Sequence, residues 1–339
     1  MDLSFERNIK FFARAGANIA LVKYWGKKNE ALKLPYNSSL SMTLNALYTD
    51  TGMTFHTGEQ DVFYLNGVLQ NPKETEKIST FVDFFRTLSR NPSKVFISSY
   101  NSFPTAAGLA SSASGYAALA GASDFLFQTN LSKKELSCLT RRGSGSACRS
   151  LFGGFVEWQA GASDDTSYAQ PFASAEDYAM LILVLNPERK KHSSTQAMKE
   201  VVRQSIFYPA WVEQAERDIT EMKQSILEKD FSRIGQIAEA NCLKMHATTL
   251  GINNPFTYWI PESLMAMEQV RELRNNGLEV YFTMDAGPNV KIFCRKKDLP
   301  SLITEMKKYY SMEQLIPTES GAGYTVKGCE NFGQSESSR

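Results

Sequence analysis

The sequence lacks long apolar runs and a strong excess of either charge. No stretch approaches the ~20 apolar residues that a membrane-spanning helix needs, and Met1–Arg7 shows no basic segment followed by an apolar one. The 37 basic and 36 acidic residues leave a net charge of +1. Total charge therefore favours neither nucleic acid nor a membrane surface as a partner. We expect a cytoplasmic protein that binds anions only through local clusters.

Cysteine and histidine are scarce and scattered. The five cysteines are odd in number and show no Cys-x-x-Cys spacing, and the three histidines are isolated. These patterns predict reduced thiols and argue against a disulfide framework or a zinc site. The hydrophobic share of 42% is sufficient for real cores, and 339 residues suggest about two domains.

Residues 101–115 are rich in glycine, serine and alanine and lie between a β-type run (95–100) and an alanine-rich helical run (116–127). A helix N-terminus with exposed N–H groups attracts phosphate, and Gly108 permits close backbone approach. Ser111 and Ser112 offer hydroxyl donors or Mg²⁺ ligands. The spacing is neither the Walker type nor G-x-G-x-x-G. The alternative is a turn of small residues that packs a helix on a sheet.

A second loop, residues 141–150, combines small residues, hydroxyls and three arginines. Ser144 and Ser146 are candidates to cap a short helix, and Arg149 follows Ser146 by one turn on the same face. Arginine suits a carboxylate because it donates two parallel hydrogen bonds. The alternative is a basic surface loop.

Two single charges stand at the ends of apolar strands. Lys23 ends the strand predicted from residue 12 onward, where an unpaired charge would be costly, so we interpret it as a site lysine. Asp285 follows the predicted strand 279–284 and precedes Gly-Pro, where ordinary turn chemistry is a sufficient explanation. His56 and His246 are interpreted as structural residues.

Periodicity predicts an amphipathic helix over 74–88 and, after residue 195, a helix-rich region. Asn66-Gly67 predicts a hairpin with a type I′ turn. Residues 37–45 and 49–56 are interpreted as two successive strands. The further predicted helices cover 196–204, 209–228, 230–250, 261–276 and 298–310, and the further strands 155–159, 180–186 and 290–294.

Four segments together resemble one family: 18–27 with 34–39, 103–112, 143–150 with 153–158, and 284–290. Lys-Tyr-Trp-Gly-Lys and Ser-Gly-Ser-Ala-Cys-Arg are similar to the diphosphomevalonate decarboxylases, within the GHMP small-molecule kinase superfamily. The resemblance covers residues 10–327 and departs from the superfamily loop at Ala110, where glycine is usual. It implies an α+β GHMP kinase fold with an active-site cleft between two domains.

The implied domains are an N-terminal α/β domain like ribosomal protein S5 domain 2 (1–185), a ferredoxin-like C-terminal domain (186–327) and a flexible tail (328–339). The implied activity is that of a carboxy-lyase that converts ATP and mevalonate 5-diphosphate to isopentenyl diphosphate, CO₂, ADP and phosphate with Mg²⁺, in the mevalonate pathway of isoprenoid biosynthesis. A homodimer is also implied.

The resemblance also implies roles for individual residues. Asp285 would accept the C3 hydroxyl proton, Lys23 would pair with Asp285 and the reacting group, and Arg149 would hold the substrate carboxylate. The substrate-binding set is Tyr24, Trp25, Lys27, Ser144, Gly145, Ser146, Arg149 and Ser194. The nucleotide-binding set is Pro104, Ala107, Gly108, Leu109, Ala110, Ser111, Ser112 and Lys190, with Mg²⁺ at Ser111 or Ser112. Thr195 stands where some bacterial relatives have arginine, which weakens the case for a second guanidinium at the diphosphate.

Two other functions stay open at this point. One is a decarboxylase or kinase of the same fold that acts on mevalonate 5-phosphate or mevalonate. The other is a metabolite-binding module without catalysis, which the joint presence of Asp285, Lys23 and Arg149 disfavours.

Overall fold

The structure, a computed structural model, describes residues 9–103, 111–186 and 192–328. Its strands are β1 (Phe11–Val22), β2 (Lys27–Asn29), β3 (Leu34–Pro35), β4 (Ser39–His56), β5 (Val62–Leu65), β6 (Val68–Leu69), β7 (Lys94–Asn101), β8 (Phe155–Trp158), β9 (Ala169–Ala173), β10 (Tyr178–Leu183), β11 (Val280–Met284), β12 (Val290–Arg295), β13 (Leu315–Glu319) and β14 (Thr325–Gly328). Its helices are α1 (Pro72–Ser89), α2 (Ser111–Phe127), α3 (Lys133–Gly143), α4 (Ser194–Gln204), α5 (Tyr208–Leu227), α6 (Phe231–Ala247), α7 (Pro261–Asn275) and α8 (Leu299–Met306).

The larger sheet is built on the two long strands β1 and β4. Among the described residues it follows the order β14-β1-β4-β7-β5-β6, and β8 pairs with both β4 and β9. The late strand β14 therefore closes the edge beside β1, antiparallel to it. Helices α1, α2 and α3 cover one face and bury an apolar core with strands β1, β4, β5 and β7.

The smaller sheet has the order β11-β12-β10-β13, with antiparallel pairs throughout. Alternate residues of β12 face opposite layers because side chains on a strand alternate. Val290 and Ile292 lie in the core shared with α7 and α8. Phe293 faces the opposite core, which includes residues of α6. Lys291 lies on that same face of the strand.

One apolar core joins the two sheets. It contains Ile19 and Leu21 from β1, Met180 and Ile182 from β10, and side chains of α5 and α6. Shared burial of this kind fixes the two sheets relative to each other, since interiors pack at close to crystal density. As a result, the end of β1 lies against the turn between β11 and β12.

Most predicted elements are confirmed within one or two residues of their ends. Four differ by more: α2 begins at Ser111 rather than 116, α6 ends at Ala247 rather than 250, α8 ends at Met306 rather than 310, and β10 ends at Leu183 rather than 186. Asn66 and Gly67 have φ of 49° and 74°, which confirms the type I′ hairpin. Helix α3 begins with a capping box between Ser132 and Glu135. No helix among the described residues is both long and apolar enough to cross a membrane.

The interpretation of 37–45 and 49–56 as two strands is wrong, because β4 runs through both. The register against β1 changes from Gly16 opposite Tyr48 to Asn18 opposite Thr43, so residues 44–47 bulge out of the ladder. Gly16 makes the bulge possible, since a Cβ there would lie 2.4 Å from the Leu44 carbonyl oxygen. The domain boundary at 185/186 stays a prediction, and the tail from 329 onward lies outside the described residues.

Candidate active site

Two lysines flank the Asp285 carboxylate: Lys23 donates a hydrogen bond to one oxygen, and Lys291 forms an ion pair with the other, which accepts no hydrogen bond among the described residues. The Lys23 ammonium, at the end of β1, lies 2.9 Å from Oδ1. The Lys291 ammonium, on β12, lies 3.3 Å from Oδ2. We call Lys23, Asp285 and Lys291 the Asp285 cluster. The structure therefore brings together the two charges that the sequence placed 262 residues apart, and adds a third.

The exposure of these side chains differs sharply. Lys23 and Lys291 are 2% and 1% exposed, whereas Asp285 is 28% exposed. The Asp285 side chain is therefore the member of the cluster that a ligand reaches, on the side away from its buried Oδ2, and the ammoniums lie beneath it. Burial by itself would raise the pKa of Asp285, but Lys23 and then Lys291 outweigh burial and hold this pKa well below its ordinary value.

Lys23 is fixed by contacts that sequence reasoning missed. Its ammonium donates to the Ala20 carbonyl at 2.7 Å. Its backbone N–H donates to Asn241 on α6 at 2.8 Å, and Asn241 in turn donates to Asp218 on α5 at 2.8 Å. Asn37 donates to the Lys23 carbonyl at 2.8 Å. Helices α5 and α6 thus hold the end of β1 in place.

His246, on α6, lies beside the Asp285 cluster. It is 2% exposed and its ring packs near Tyr258 and Trp259, with centroids 5.9 and 5.3 Å away. Neither ring nitrogen has a hydrogen-bond partner among the described residues. Burial, together with Lys23, lowers the pKa of His246 to about 3. A neutral imidazole here agrees with the structural interpretation of this residue.

Arg149 is held in a cradle of side chains from β1 and β4. Its Nε donates to Asn18 at 3.1 Å and to Ser41 at 2.9 Å, and its Nη1 donates to Ser39. The guanidinium also lies 5.8 Å from the centre of the Trp158 ring. Arg149 is 2% exposed, and burial lowers its pKa, an effect opposed in part by the carboxylate of the Asp285 cluster. These contacts fix the direction of a rigid, planar donor.

Tyr24 and Gly145 line the space next to Arg149. The Tyr24 ring packs on Trp158 with centroids 4.6 Å apart. Its hydroxyl is buried without a hydrogen-bond partner among the described residues, and burial raises its pKa. A Cβ on Gly145 would come within 3.0 Å of both rings, so only glycine permits this approach. A buried hydroxyl of this kind is a donor that a polar ligand can satisfy.

A second group of lysines surrounds Glu30, in the segment that comes after β1 in the chain. Lys27 lies 3.2 Å from Glu30, and Lys199 on α4 lies 4.0 Å from the same carboxylate oxygen. Lys33 donates to the Gly143 carbonyl. Burial and then Lys27 lower the pKa of Lys33 to about 8. We call Lys27, Glu30, Lys33 and Lys199 the Glu30 cluster.

Ser144 and Ser146 stand at the start of the 3₁₀ turn that carries Arg149. Ser144 caps this turn through its backbone, without a side-chain capping bond. The Ser146 carbonyl accepts a hydrogen bond from Asn18 at 3.0 Å. The loop therefore joins two parts of the site: the Gly143 carbonyl accepts from Lys33 of the Glu30 cluster, and Arg149 lies in its cradle on β1 and β4.

Two other predicted substrate residues, Trp25 and Ser194, lie near helix α4. The Trp25 indole donates to Thr248 at 3.0 Å and packs in an apolar cluster with residues of α4 and α5. Ser194 begins α4, which carries Lys199 of the Glu30 cluster on its next turn.

Ser111 and Ser112 form the first turn of α2 and line a groove. The groove is bounded by α1, α2, β5 and β7, and its polar wall includes Gln70, Lys77 and Asn101. The other predicted nucleotide-binding residues, Pro104, Ala107, Gly108, Leu109, Ala110 and Lys190, lie outside the described residues.

Sequence reasoning missed Lys291 and the residues around Arg149. Lys291 follows Val290 and precedes Ile292, an alternation that is typical of a strand with one solvated face. Ser39 and Ser41 alternate with apolar residues in the same way. Asn18 begins the segment 18–27 that carries the family resemblance, but the resemblance implies no role for it. Only the sheet-on-sheet packing shows that these polar faces are buried.

The chain matches known proteins over most of its length. Residues 15–169 match the diphosphomevalonate decarboxylase-like N-terminal domain, and residues 180–335 match the mevalonate 5-diphosphate decarboxylase C-terminal domain. A diphosphomevalonate decarboxylase of Ganoderma lucidum is 33% identical over 356 residues, covering 96% of this chain and 89% of the relative.

Solved structures agree with these matches. The structure of MDDEF in complex with MVAPP, AMPPCP and magnesium has a TM-score of 0.89 and 50% identity, covering 94% of this chain and 99% of that chain. Mevalonate diphosphate decarboxylase from Staphylococcus aureus has a TM-score of 0.90 and 46% identity, covering 95% and 99%. These likenesses confirm the predicted α+β GHMP kinase fold. The chain therefore belongs to the diphosphomevalonate decarboxylase family.

Proposed function

We propose that this chain converts mevalonate 5-diphosphate and ATP to isopentenyl diphosphate, CO₂, ADP and phosphate. The observation that carries the proposal is the ion pair of Asp285 with Lys23 where the two sheets meet, with the buried Arg149 near enough for Asp285 to affect its pKa, in a chain of this family. The solved relative with MVAPP, AMPPCP and magnesium supports the choice of substrates.

In the first step, Asp285 orients the C3 hydroxyl of the substrate. Its carboxylate is the exposed member of a cluster whose lysines keep it ionised. The hydroxyl oxygen attacks the γ-phosphorus of ATP, the bond to ADP breaks, and the hydroxyl proton passes to Asp285. Because its pKa is low, Asp285 is a weak base, and the proton moves late, after the O–P bond has begun to form.

In the second step, Arg149 holds the C1 carboxylate. The C3–O bond breaks with its electrons leaving on phosphate, and the C1–C2 bond breaks with its electrons forming the C2=C3 double bond. A guanidinium stabilises the ground-state carboxylate, so its contribution is geometric. The contacts with Asn18, Ser39 and Ser41 fix its plane, and a fixed plane keeps the two breaking bonds aligned.

The diphosphate of the substrate is assigned to the Glu30 cluster and the adjoining loop. Lys27 and Lys33 supply positive charge. Ser144, Ser146 and Ser194 supply hydroxyl groups. The Tyr24 hydroxyl, which has no hydrogen-bond partner in the described part of the chain, supplies a further donor. Gly145 has no side chain and so leaves space beside the Tyr24 ring. Trp25 anchors the turn through its hydrogen bond to Thr248.

ATP is assigned to the groove beside α2, with its phosphates at Ser111 and Ser112. Hydroxyl oxygens fit Mg²⁺, which takes oxygen ligands and retains several waters. No group of three or more acidic, histidine or cysteine side chains among the described residues is arranged to hold a metal. Bound Mg²⁺ neutralises phosphate charge. Ser111 and Ser112 would hold it together with the phosphates.

Steady-state assays with mevalonate, its 5-phosphate and its 5-diphosphate test the proposal. We expect CO₂ release coupled to ADP formation with the diphosphate, and at least about tenfold lower kcat/KM with the monophosphate, because the Glu30 cluster loses an anionic partner. A preference for a shorter anion would contradict the substrate assignment. ATP turnover that yields a stable phosphorylated product without CO₂ would indicate a kinase.

The homodimer and the cytoplasmic location stay predictions. Light scattering behind size-exclusion chromatography would measure the mass in solution, and a mass of one chain would contradict the dimer. Fractionation of the source cells would test the location.

A further inference from the structure

Lys291 helps to keep Asp285 ionised, but Lys23 alone would also do this, and the charge of Lys291 is buried beside the same carboxylate. Its side chain is 1% exposed, and its ammonium lies 3.3 Å from Oδ2 of Asp285 and 3.2 Å from the Asn289 carbonyl oxygen. Lys23 already pairs with Oδ1 at 2.9 Å. The cluster therefore holds two buried positive charges against one negative charge.

An excess buried charge is costly, because desolvation of an ion is repaid only by a partner of opposite sign. One lysine and one aspartate would be neutral and cheaper to bury. Burial lowers the pKa of Lys291, and Asp285 opposes this effect. The second lysine is therefore not explained as a contribution to stability.

The geometry offers another explanation. Asp285 lies in the short turn between β11 and β12, where a carboxylate held by one oxygen is free to rotate about its side-chain bonds. The two lysines approach from different elements, β1 and β12, and face different oxygens, Lys23 through a hydrogen bond and Lys291 through an ion pair at 3.3 Å. Two such contacts fix both the position of the carboxylate and the plane that it presents to the cleft.

We propose that Lys291 is a second positioning residue of the reaction, which holds Asp285 on the oxygen that Lys23 does not hold and so sets the direction in which Asp285 meets the C3 hydroxyl. Lys291 acts through Asp285, because its ammonium contacts the Asp285 carboxylate and the Asn289 carbonyl oxygen. This inference rests on the proposed function for its kinetic part. Its structural part depends only on the described contacts.

The kinetic test compares Lys291→Met with Lys296→Met. Methionine keeps the length and apolar stem of Lys291 and removes the charge. We expect kcat to fall about 10- to 100-fold, the range that a small misplacement of a reacting group produces, with KM for both substrates within about 3-fold. Lys296 is 51% exposed and pairs with Glu319, so its variant should retain wild-type kcat.

The stability test uses a double-mutant cycle read by thermal unfolding, which requires no activity. Asp285→Asn leaves two buried ammoniums without a carboxylate, and we expect its Tm to fall by about 3 °C or more. Lys291→Met alone should leave Tm unchanged or higher. In the double variant, Lys291→Met should recover most of the loss caused by Asp285→Asn.

The outcomes separate the possible failures. If Lys291→Met lowers Tm and merely reduces the folded fraction, with kcat per folded molecule unchanged, Lys291 is structural and the inference is overturned. Tm losses that simply add in the double variant would equally overturn the pairing. If wild-type protein shows no decarboxylation while the cycle still shows coupling, the proposed function fails and the Lys291–Asp285 pairing stands.

Discussion

The Asp285 and Glu30 clusters both gather more lysines than carboxylates, but they hold their carboxylates differently. Each oxygen of Asp285 faces a buried lysine, 2.9 Å from Lys23 and 3.3 Å from Lys291, and these lysines are 2% and 1% exposed. Glu30 is 48% exposed and is bound through one oxygen, at 3.2 Å from Lys27 and 4.0 Å from Lys199. An incoming anion can therefore displace Glu30 but not Asp285.

This difference separates chemistry from binding. A counterion that a ligand can displace leaves lysines ready for a diphosphate while keeping them paired in the free protein. A carboxylate held on both oxygens stays in place while substrates enter and products leave. Substitutions in the Asp285 cluster should therefore change kcat, and substitutions in the Glu30 cluster should change substrate affinity.

The largest effect is expected at Asp285. Asp285→Ala should lower kcat by about 10² to 10⁴, the usual contribution of a positioned proton acceptor, while mevalonate 5-diphosphate still binds. Rapid-quench measurement of ADP formation would give the rate, and calorimetry would give the affinity. Undiminished turnover would remove Asp285 from the mechanism.

A smaller loss is expected from Arg149→Lys. One ammonium cannot replace a planar donor that binds Asn18, Ser41 and Ser39 at once. We expect kcat/KM for mevalonate 5-diphosphate to fall about 100-fold through misalignment, measured by steady-state CO₂ release. Arg142→Lys is the matched control, because Arg142 is 26% exposed and pairs with Asp164 near the same loop. Equal losses in both variants would argue against a substrate-holding role.

In the Glu30 cluster, two substitutions should have opposite effects on affinity. Lys27→Met should weaken binding of mevalonate 5-diphosphate about 10-fold, as expected for loss of one charged hydrogen bond. Glu30→Gln should tighten binding about 2- to 5-fold, because an exposed ion pair that competes with the ligand is removed. Calorimetry at two salt concentrations measures both. Weaker binding in Glu30→Gln would show that Glu30 supports the site rather than competes for it.

The two clusters also differ in how far the sequence could predict them. Lys23 was found because a charge at the end of an apolar run is conspicuous, and local helix and hairpin signals were confirmed. Lys291 was missed because a lysine that alternates with apolar residues is ordinary on a strand with one solvated face. Its burial depends on α6 and β1, which are distant in sequence.

The continuous strand β4 was missed for a related physical reason. The bulge at residues 44–47 interrupts the alternation of apolar and polar residues that marks a strand. The space for the bulge is provided by Gly16 on the partner strand, because Gly16 has no side chain. The addition of β14 beside β1 is equally non-local. Patterns within a segment predict its local structure, whereas the cradle around Arg149 depends on pairing between segments.

The smallest predicted effect concerns the stability of the folded chain and involves His246, which is buried beside the Asp285 cluster. His246 has a pKa of about 3 in the folded chain, against an ordinary value of 6.5, because of burial and then Lys23. Between these values only the unfolded chain binds a proton at this residue. Stability should therefore fall as pH decreases below about 6.5, with His246 contributing about 1.4 kcal/mol per pH unit.

Urea unfolding at about pH 7 and about pH 5 would measure this contribution in wild type and in His246→Gln, with His56→Gln as the control for loss of an imidazole elsewhere. We expect the pH dependence to be weaker in His246→Gln alone. An unchanged slope would mean that the folded chain also protonates His246. The Asp285 cluster would then accept a third positive charge, and the contrast between a sealed, fixed cluster and an open, exchangeable one would no longer hold.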